Sequence, residues 1–226
     1  MRARLRAELT AEIKDTARRH MAEQGSAALS LRAIARELGM VSSAIYRYFP
    51  SRDDLLTALI VDAYDAVAEV AEQADAAAQR RGVGTRWVAV AGAIRAWAAA
   101  HPAEYGLIYG SPVPGYQAPA DTIAPALRVS MVFINLVADG ARSGEIVAGG
   151  SVPMPRTVHA DLAAMRAAVA PDVADQVLSR ALLVWTQLFG AITFELFGHL
   201  HNVIHDYDGF FDVQMRRSAA FLLDGT

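Results

Sequence analysis

Within residues 31–49, LRAIARELGMVSSAIYRYF, the side chains of Ser43, Tyr46 and Arg47 have the types and spacing to read a nucleic-acid edge. A guanidinium donates two parallel hydrogen bonds to O6 and N7 of guanine, a serine hydroxyl gives or accepts one, and a tyrosine hydroxyl reaches a phosphate oxygen. Such chemistry needs a rigid support narrow enough to enter a major groove. The neighbouring residues supply it. Ile34, Ala35 and Leu38 fall on one face of a first helix, and Gly39 provides the positive φ of a sharp turn. Ser42 is a competent N-cap for a second helix, whose Ile45 and Phe49, four apart, point back toward the first. The stretch predicts a helix-turn-helix that presents its polar groups to a DNA groove.

The elements that must hold this motif lie on either side of it. From about residue 10 to 24, Ile13, Ala17, His20 and Met21 mark an amphipathic helix that Gly25 ends. Arg2, Arg4 and Arg6 precede it, either as a solvated basic tail or as an arm that touches DNA. Ser30 caps the helix beginning at Leu31; with Ala33 three residues on, this is a simple cap and not a capping box. Pro50 stops one helix and Ser51 starts the next, with Asp53 and Asp54 favouring its positive N-terminus. Arg52 among those acids is either a solvated first-turn residue or a partner for a backbone phosphate. The helix runs on through Leu55, Leu59, Ala63 and Val67 into an Ala-rich stretch, and Gly82 and Gly84 end it.

A helix ending in Gly, then SLRAIARELGMVSSAIYRYFPSRDDLL, closely resembles the TetR family of transcriptional regulators over roughly residues 10–60. The resemblance implies an all-α protein with a three-helix helix-turn-helix DNA-binding domain (1–56) and a larger helical-bundle domain for ligand binding and dimerisation (57–226). Tyr48 stands where the family often has His, and Arg52 where it often has Lys. Carried over residue by residue, Ser42, Ser43, Ala44 and Arg47 become candidate base or groove contacts. Tyr46, Tyr48 and Arg52 become candidate phosphate contacts, with Ser30 and Arg32 donating from the start of the supporting helix. Tyr46 and Tyr48 also have the alternative of packing on the helix pair.

The rest of the chain reads as apolar helices divided by Pro and Gly. Residues 85–100 are apolar nearly throughout, His101-Pro102 interrupts them, and AEYGLIYG forms a short helix before a Pro-rich loop. Long helices follow at about 121–142, 171–199 and 207–223, with a shorter one at 156–169. Gly149-Gly150, Pro153 and Pro155 mark a flexible connection. The pattern HPAEYGLIYG with WTQLFGAITFELFGH resembles a C-terminal subclass of the same family, in which the last two helices pair with those of a second subunit. That places Gly190, Phe194, Phe197 and Gly198 along a dimer seam, or in an ordinary intramolecular core. The helices that enclose a ligand cavity in the family supply Trp97, Tyr105, Tyr109, Met131, Asn135, Trp185 and Phe189 as candidate ligand contacts, with core packing as the alternative for the apolar ones. Asn135, an amide inside the apolar MVFINLVA, is expected to require a partner on a neighbouring helix or a ligand.

Composition narrows the function classes. The absence of cysteine excludes disulfides, thiol nucleophiles and thiolate-bound metals and agrees with a reducing cytoplasm. Residues 1–56 carry ten Lys or Arg against seven acids, and residues 57–226 carry eleven against seventeen, so a basic head precedes an acidic body inside a net charge of −3. The apolar run 181–197 contains Gln187 and Glu195, which argues for a buried helix over a membrane span. No phosphate-binding loop, dinucleotide fingerprint, nucleophile elbow or zinc-protease motif occurs, so an enzyme is not expected, and no cofactor or metal either. The resulting expectation is a cytoplasmic homodimeric repressor on a palindromic double-stranded operator, released by a small, fairly apolar effector. Two alternatives stand beside it: a metal-responsive regulator using His199, His201 and His205, whose spacing does not share a helix face, and a dimeric scaffold that has lost DNA binding.

Overall fold

In the computed structural model the described residues are 1–149 and 153–225, the Arg2 side chain excepted. Gly150 of the expected flexible connection lies outside them. All regular structure among the described residues is helical, as expected: α1 (Arg2–Gln24), α2 (Leu31–Glu37), α3 (Ser42–Ile45), α4 (Arg52–Ala78), α5 (Val83–Ala100), α6 (Pro102–Tyr109), α7 (Ile123–Ser143), α8 (Arg156–Val169), α9 (Asp175–Leu196) and α10 (Tyr207–Asp224). The chain divides into two compact units. One comprises Met1–Ala66 with Ala100–Ala126, the other Val67–Ala99 with the residues from Leu127 onward.

The first unit is built on the apolar faces read from the sequence. Ile13, Ala17, Ile34, Ala35, Ile45, Phe49, Leu55, Leu56 and Leu59 are all buried in one cluster, with Leu38 half-buried against it. Each fully buried Ile or Leu contributes about 1.5–3 kcal/mol of transfer free energy. Lys14 and Arg18 of α1 both reach Asp62 of α4 at 2.8 Å, which fixes the angle between those helices. The cluster also takes in Ala103 and Leu107 of α6 and Val113 and Tyr116 of the following loop. The Tyr116 hydroxyl lies 2.9 Å from Thr57 Oγ1, and Tyr64 donates to the Ile108 carbonyl at 3.3 Å. The boundary expected at 56/57 therefore falls inside α4. The unit extends beyond it because the head's core is completed by residues fifty positions later in the chain.

The second unit centres on fully buried Trp87, Ile94, Leu136, Leu178 and Leu188. Arg86, with 7 % of its side chain exposed, grips both oxygens of Asp75 (2.8 and 2.9 Å) and one of Asp139 (3.0 Å). A planar fork of donors suits this double demand. Hydrogen bonding to Asp75 raises the Arg86 pKa further, so the group is charged under all ordinary conditions. Arg95 pairs with both oxygens of Glu195 (2.8 and 2.7 Å) and with Asp208 (2.8 Å), joining α5 to the end of α9 and the start of α10. α9 packs on α10 and α8. Its composition, like that of α7, would suffice for a membrane span. Its apolarity, however, serves two sides of one helix, with Glu195 paired to Arg95 and Gln187 exposed.

Candidate nucleic-acid interface and effector site

α3 is shorter than the sequence predicts. Regular α-helix covers Ser42–Ile45, and the chain then continues through Tyr46–Tyr48 as tight turns, with Arg47 N–H donating to the Ala44 carbonyl (3.2 Å) and Tyr48 N–H to that of Ile45 (2.9 Å). Pro50 restricts Phe49, the residue directly before it, and so sets the end of this segment, whose Phe49 N–H still donates to the Ile45 carbonyl at 3.1 Å. The N-cap is Val41 and not Ser42: the Val41 carbonyl accepts the first bond, from Ala44 N–H at 2.8 Å. Ser42 therefore sits inside the helix with its side chain exposed. Gly39 takes φ +64° at the turn, as the motif requires.

Ile45 and Phe49 anchor this segment inward, leaving Ser42, Ser43, Tyr46 and Arg47 exposed, Tyr46 at 41 %. Ala44 is half-buried between the two faces. Tyr48 is half-buried on the core cluster, so its ring packs as well as borders the surface. Arg32 is exposed, and Ser30 Oγ accepts from Ala33 N–H at 3.4 Å, which makes it the N-cap of α2. Ser51 accepts from Asp54 N–H at 3.1 Å and caps α4. Arg52 is placed differently from a free phosphate contact. Its Nη2 donates to the carbonyls of Ser26 (3.1 Å) and Ala27 (3.2 Å), which ties the start of α4 to the turn before α2.

The N-terminal residues hold what the sequence left open. The chain is helical from Arg2, and Arg4 pairs with Glu8 at 2.8 Å one turn on, so the expected tail is the first turns of α1. Arg6 Nη2 donates to the Arg47 carbonyl at 3.1 Å, and its guanidinium lies over the Tyr48 ring at 5.8 Å. This residue secures the far end of the exposed polar segment and was absent from the sequence-derived site. The basic N-terminus singled out Arg6 as part of a tail or arm, but no local pattern could have pointed to this contact, because its partner lies 41 positions away. On the other side, Glu37 of α2 accepts from Arg19 (2.7 Å) and lies 2.6 Å from His20 Nε2, both on α1. Those contacts hold its carboxyl below the usual carboxylate range.

The seven ligand candidates separate into two groups. Tyr105 and Tyr109 belong to the first unit, where their rings lie 5.2 Å apart and Tyr64 meets Tyr109 edge-on at 6.1 Å. Burial pushes the Tyr109 phenol well above its ordinary value. Trp97, Met131, Asn135, Trp185 and Phe189 belong to the second. Trp97 is buried, while Met131, Trp185 and Phe189 are half-buried. Asn135 is exposed and needs no internal partner. The buried stripe of α7 runs through Val129, Val132, Phe133, Leu136, Val137 and Gly140, and Asn135 falls on the outward side between its turns. An apolar cavity of about 100 Å³ does exist in this unit, between α7, α8 and α9, and Trp185 alone of the seven lines it. Its other walls include Phe133, Val137, Met165 and Ala181.

On α9 the outward face carries Leu183, Gln187, Gly190, Phe194 and Phe197, spaced 4, 3, 4 and 3. All are exposed, Leu183 at 56 %, Phe194 at 53 % and Phe197 at 48 %. Phe194 and Phe197 are thus not intramolecular core. A Cβ added at Gly190 would meet nothing within 4 Å. Gly198 lies beyond the last turn with φ +77° and ends α9. The alternating spacing was present in the sequence and could have added Leu183 and Gln187. His199, His201 and His205 are exposed, and among the described residues no group of three or more His, Asp or Glu side chains converges as a metal site.

Comparison with known proteins places this geometry. Residues 13–59 match the family described as bacterial regulatory proteins, tetR family, and residues 87–218 match the tetracyclin repressor-like C-terminal domain. The HTH-type transcriptional regulator Rv1816 of Mycobacterium tuberculosis (strain ATCC 25618 / H37Rv) is 40% identical over 225 residues, covering 97% of this chain and 94% of its own. The crystal structure of regulatory protein SCO4313 superposes with a TM-score of 0.76 at 35% identity, over 96% of this chain and 98% of that one. A protein from Rhodococcus sp. RHA1 shares the fold at a TM-score of 0.69 and 22% identity, over 96% and 94% of the two chains.

Proposed function

Because the chain belongs to the tetR family of bacterial regulatory proteins, we infer that it is a cytoplasmic homodimeric repressor that binds a palindromic operator and leaves it when a small, apolar effector is bound. The observation that carries this reading is the division of residues 42–49. Ile45 and Phe49 are buried, while Ser42, Ser43, Tyr46 and Arg47 project from a backbone held at its end by Arg6. A segment fixed from within and polar outside is what direct readout of a major groove needs. The exposure of these hydrogen-bonding groups supports DNA binding over the scaffold alternative. In this reading Arg47 and Ser43 meet bases, Tyr46 and Arg32 meet phosphates, and Arg52 and Ser30 position the motif.

The rest of the chain supports the dimer and the effector. One short reading segment makes too few base contacts for tight specific binding, and a two-fold pair doubles them. The exposed apolar stripe of α9 is the surface such a pair would bury, with Gly190 admitting close approach. An effector acts by preferring the dimer whose reading segments are wrongly spaced, and lowers operator affinity by that preference and no more.

Selection of bound fragments from the genome with the purified protein tests the reading. The expected result is an enriched inverted repeat whose half-sites lie one helical turn apart or a multiple of it, bound by two copies. Enrichment of no sequence, or of a site bound by one copy with full affinity, would sink it.

A further inference from the structure

The cavity between α7, α8 and α9 has a chemistry narrower than that of an apolar pocket in general. It measures about 100 Å³, and its walls include Phe133, Val137, Met165, Ala181 and Trp185, with Ser130 as the one polar side chain. No charged residue lines it. A carboxylate or ammonium entering it would lose its hydration and gain no partner. An apolar void of about 150 Å³ stays dry and accepts benzene, so a cavity of about 100 Å³ takes a single ring as Met165 and α8 give way. Phe133 and Trp185, stacked at 5.3 Å and 24°, present aromatic surface to whatever enters.

Access and transmission are both built in. Of the fourteen residues of α8, Leu162 is the only buried one, so displacing this helix exposes little core, and what opposes it is the Arg166–Asp175 pair to α9 at 3.2 Å. Met165, which faces the cavity from α8, is unbranched and adapts to guests of different outline. On the inner side, Phe133 meets Trp87 at 4.9 Å, and Trp87 Nε1 donates to Ser218 Oγ of α10 at 2.9 Å in a buried position. The wall of the cavity is therefore two contacts away from α10, which packs on the helix that carries the exposed apolar stripe.

We propose that this cavity binds a small neutral single-ring aromatic molecule, and that occupancy is passed through Phe133 and Trp87 to α10. The second half rests on the reading of the chain as an effector-released DNA-binding dimer; the first does not. Trp185 makes binding directly observable. Toluene is titrated into the full-length protein while tryptophan emission is followed, with benzoate as the charged control. A saturable change with toluene and none with benzoate is expected. Ala181→Leu, which fills the void, should weaken toluene binding roughly tenfold or more and leave the unfolding midpoint equal or raised. Val137→Met is a second filling variant, for use if the first does not fold. In Trp185→Phe the emission change should shrink to what Trp87, the next ring in the relay, still reports, while toluene still raises the unfolding midpoint.

Operator binding separates the two halves. Toluene should weaken binding of the selected duplex about tenfold or more, and this effect should be lost in Ala181→Leu and reduced in Trp87→Phe, whose toluene affinity stays. No saturable toluene binding, or equal binding by both filling variants, overturns the site. Toluene binding with unchanged operator affinity overturns the transmission and leaves DNA recognition standing. A protein that binds toluene but no DNA sequence overturns the functional reading and leaves the cavity assigned.

Discussion

Residues 42–49 and helix α9 both keep side chains out of the core, and they do so with opposite chemistry. The first exposes Ser42, Ser43, Tyr46 and Arg47, groups that lose little by staying in water and gain when aimed at hydrogen-bonding edges. The second exposes Leu183, Phe194 and Phe197, whose apolar surface is stabilised only when water is removed. Their inner faces are alike: Ile45 and Phe49 in one, Leu178, Leu188 and Ile192 in the other, all buried. The inner face holds the fold in both places, and the outer faces differ: one is polar and suited to hydrogen-bonding edges, the other apolar and suited to burial against a second surface.

The largest effect that would test this contrast lies on the pairing side. Phe194→Asp puts a charge where the stripe would be buried, and should weaken self-association on the order of a thousandfold. Sedimentation velocity would then show a single-copy mass at micromolar protein. The same charge at Ser43 should leave the mass unchanged; a two-copy mass for the Phe194 variant would remove α9 from the interface.

Next in size is Arg47→Ala. It should weaken binding to the selected operator by about 1–3 kcal/mol and relax discrimination at one base pair per half-site. Competition binding against single-base variants of the site reads both, and an unaltered preference would take Arg47 out of direct readout.

Tyr116→Phe is subtler. It removes one of the two hydrogen-bond partners of Thr57 Oγ1, the Asp53 carbonyl being the other, and should lower stability by about 0.5–1.5 kcal/mol in urea unfolding. A fragment of residues 1–56 would lack Leu59, Leu107, Val113 and Tyr116 altogether, and its failure to fold where the full chain does would confirm that the head borrows its core.

The smallest effect is electrostatic. Glu37 has its pKa held below the ordinary 4.5 by Arg19 and His20. A depressed carboxyl contributes stability that is complete above its unfolded value and is lost as pH falls through the folded one. Unfolding midpoints should therefore drop below about pH 4.5, less steeply in Glu37→Gln. Equal pH slopes in the two proteins would mean that the α1–α2 contact adds nothing to the head.

Much of the head was legible because its signals are local. Periodicity put Ile34, Leu38, Ile45 and Phe49 inward, and Gly39 and Ser30 took their turn and cap roles where the residue types demand them. Ser42 was misread as a cap because its hydroxyl chemistry suits that role, yet the backbone enters the helix one residue earlier, at Val41. Arg52 has the charge of a phosphate contact, and only the folded chain brings the Ser26 and Ala27 carbonyls within its reach. In the body the helices were found and their faces were not. Asn135 was placed inside because its neighbours are apolar, although the helical turn carries it outward.

The sequence by itself determined the all-helical class, the helix-turn-helix and its inward residues, since helix propensity, caps and a 3.6-residue period act within a few positions. Tertiary structure decided that Arg6 holds the Arg47 carbonyl at the end of the exposed polar segment, that Tyr116 packs on the core of the first unit, and that an apolar cavity opens beside Trp185. It also decided which side of the nearly all-apolar α9 is left outside. Such features depend on the space and partners left between residues distant in the chain, and side-chain volume and hydrogen-bond reach settle them only once the helices have packed.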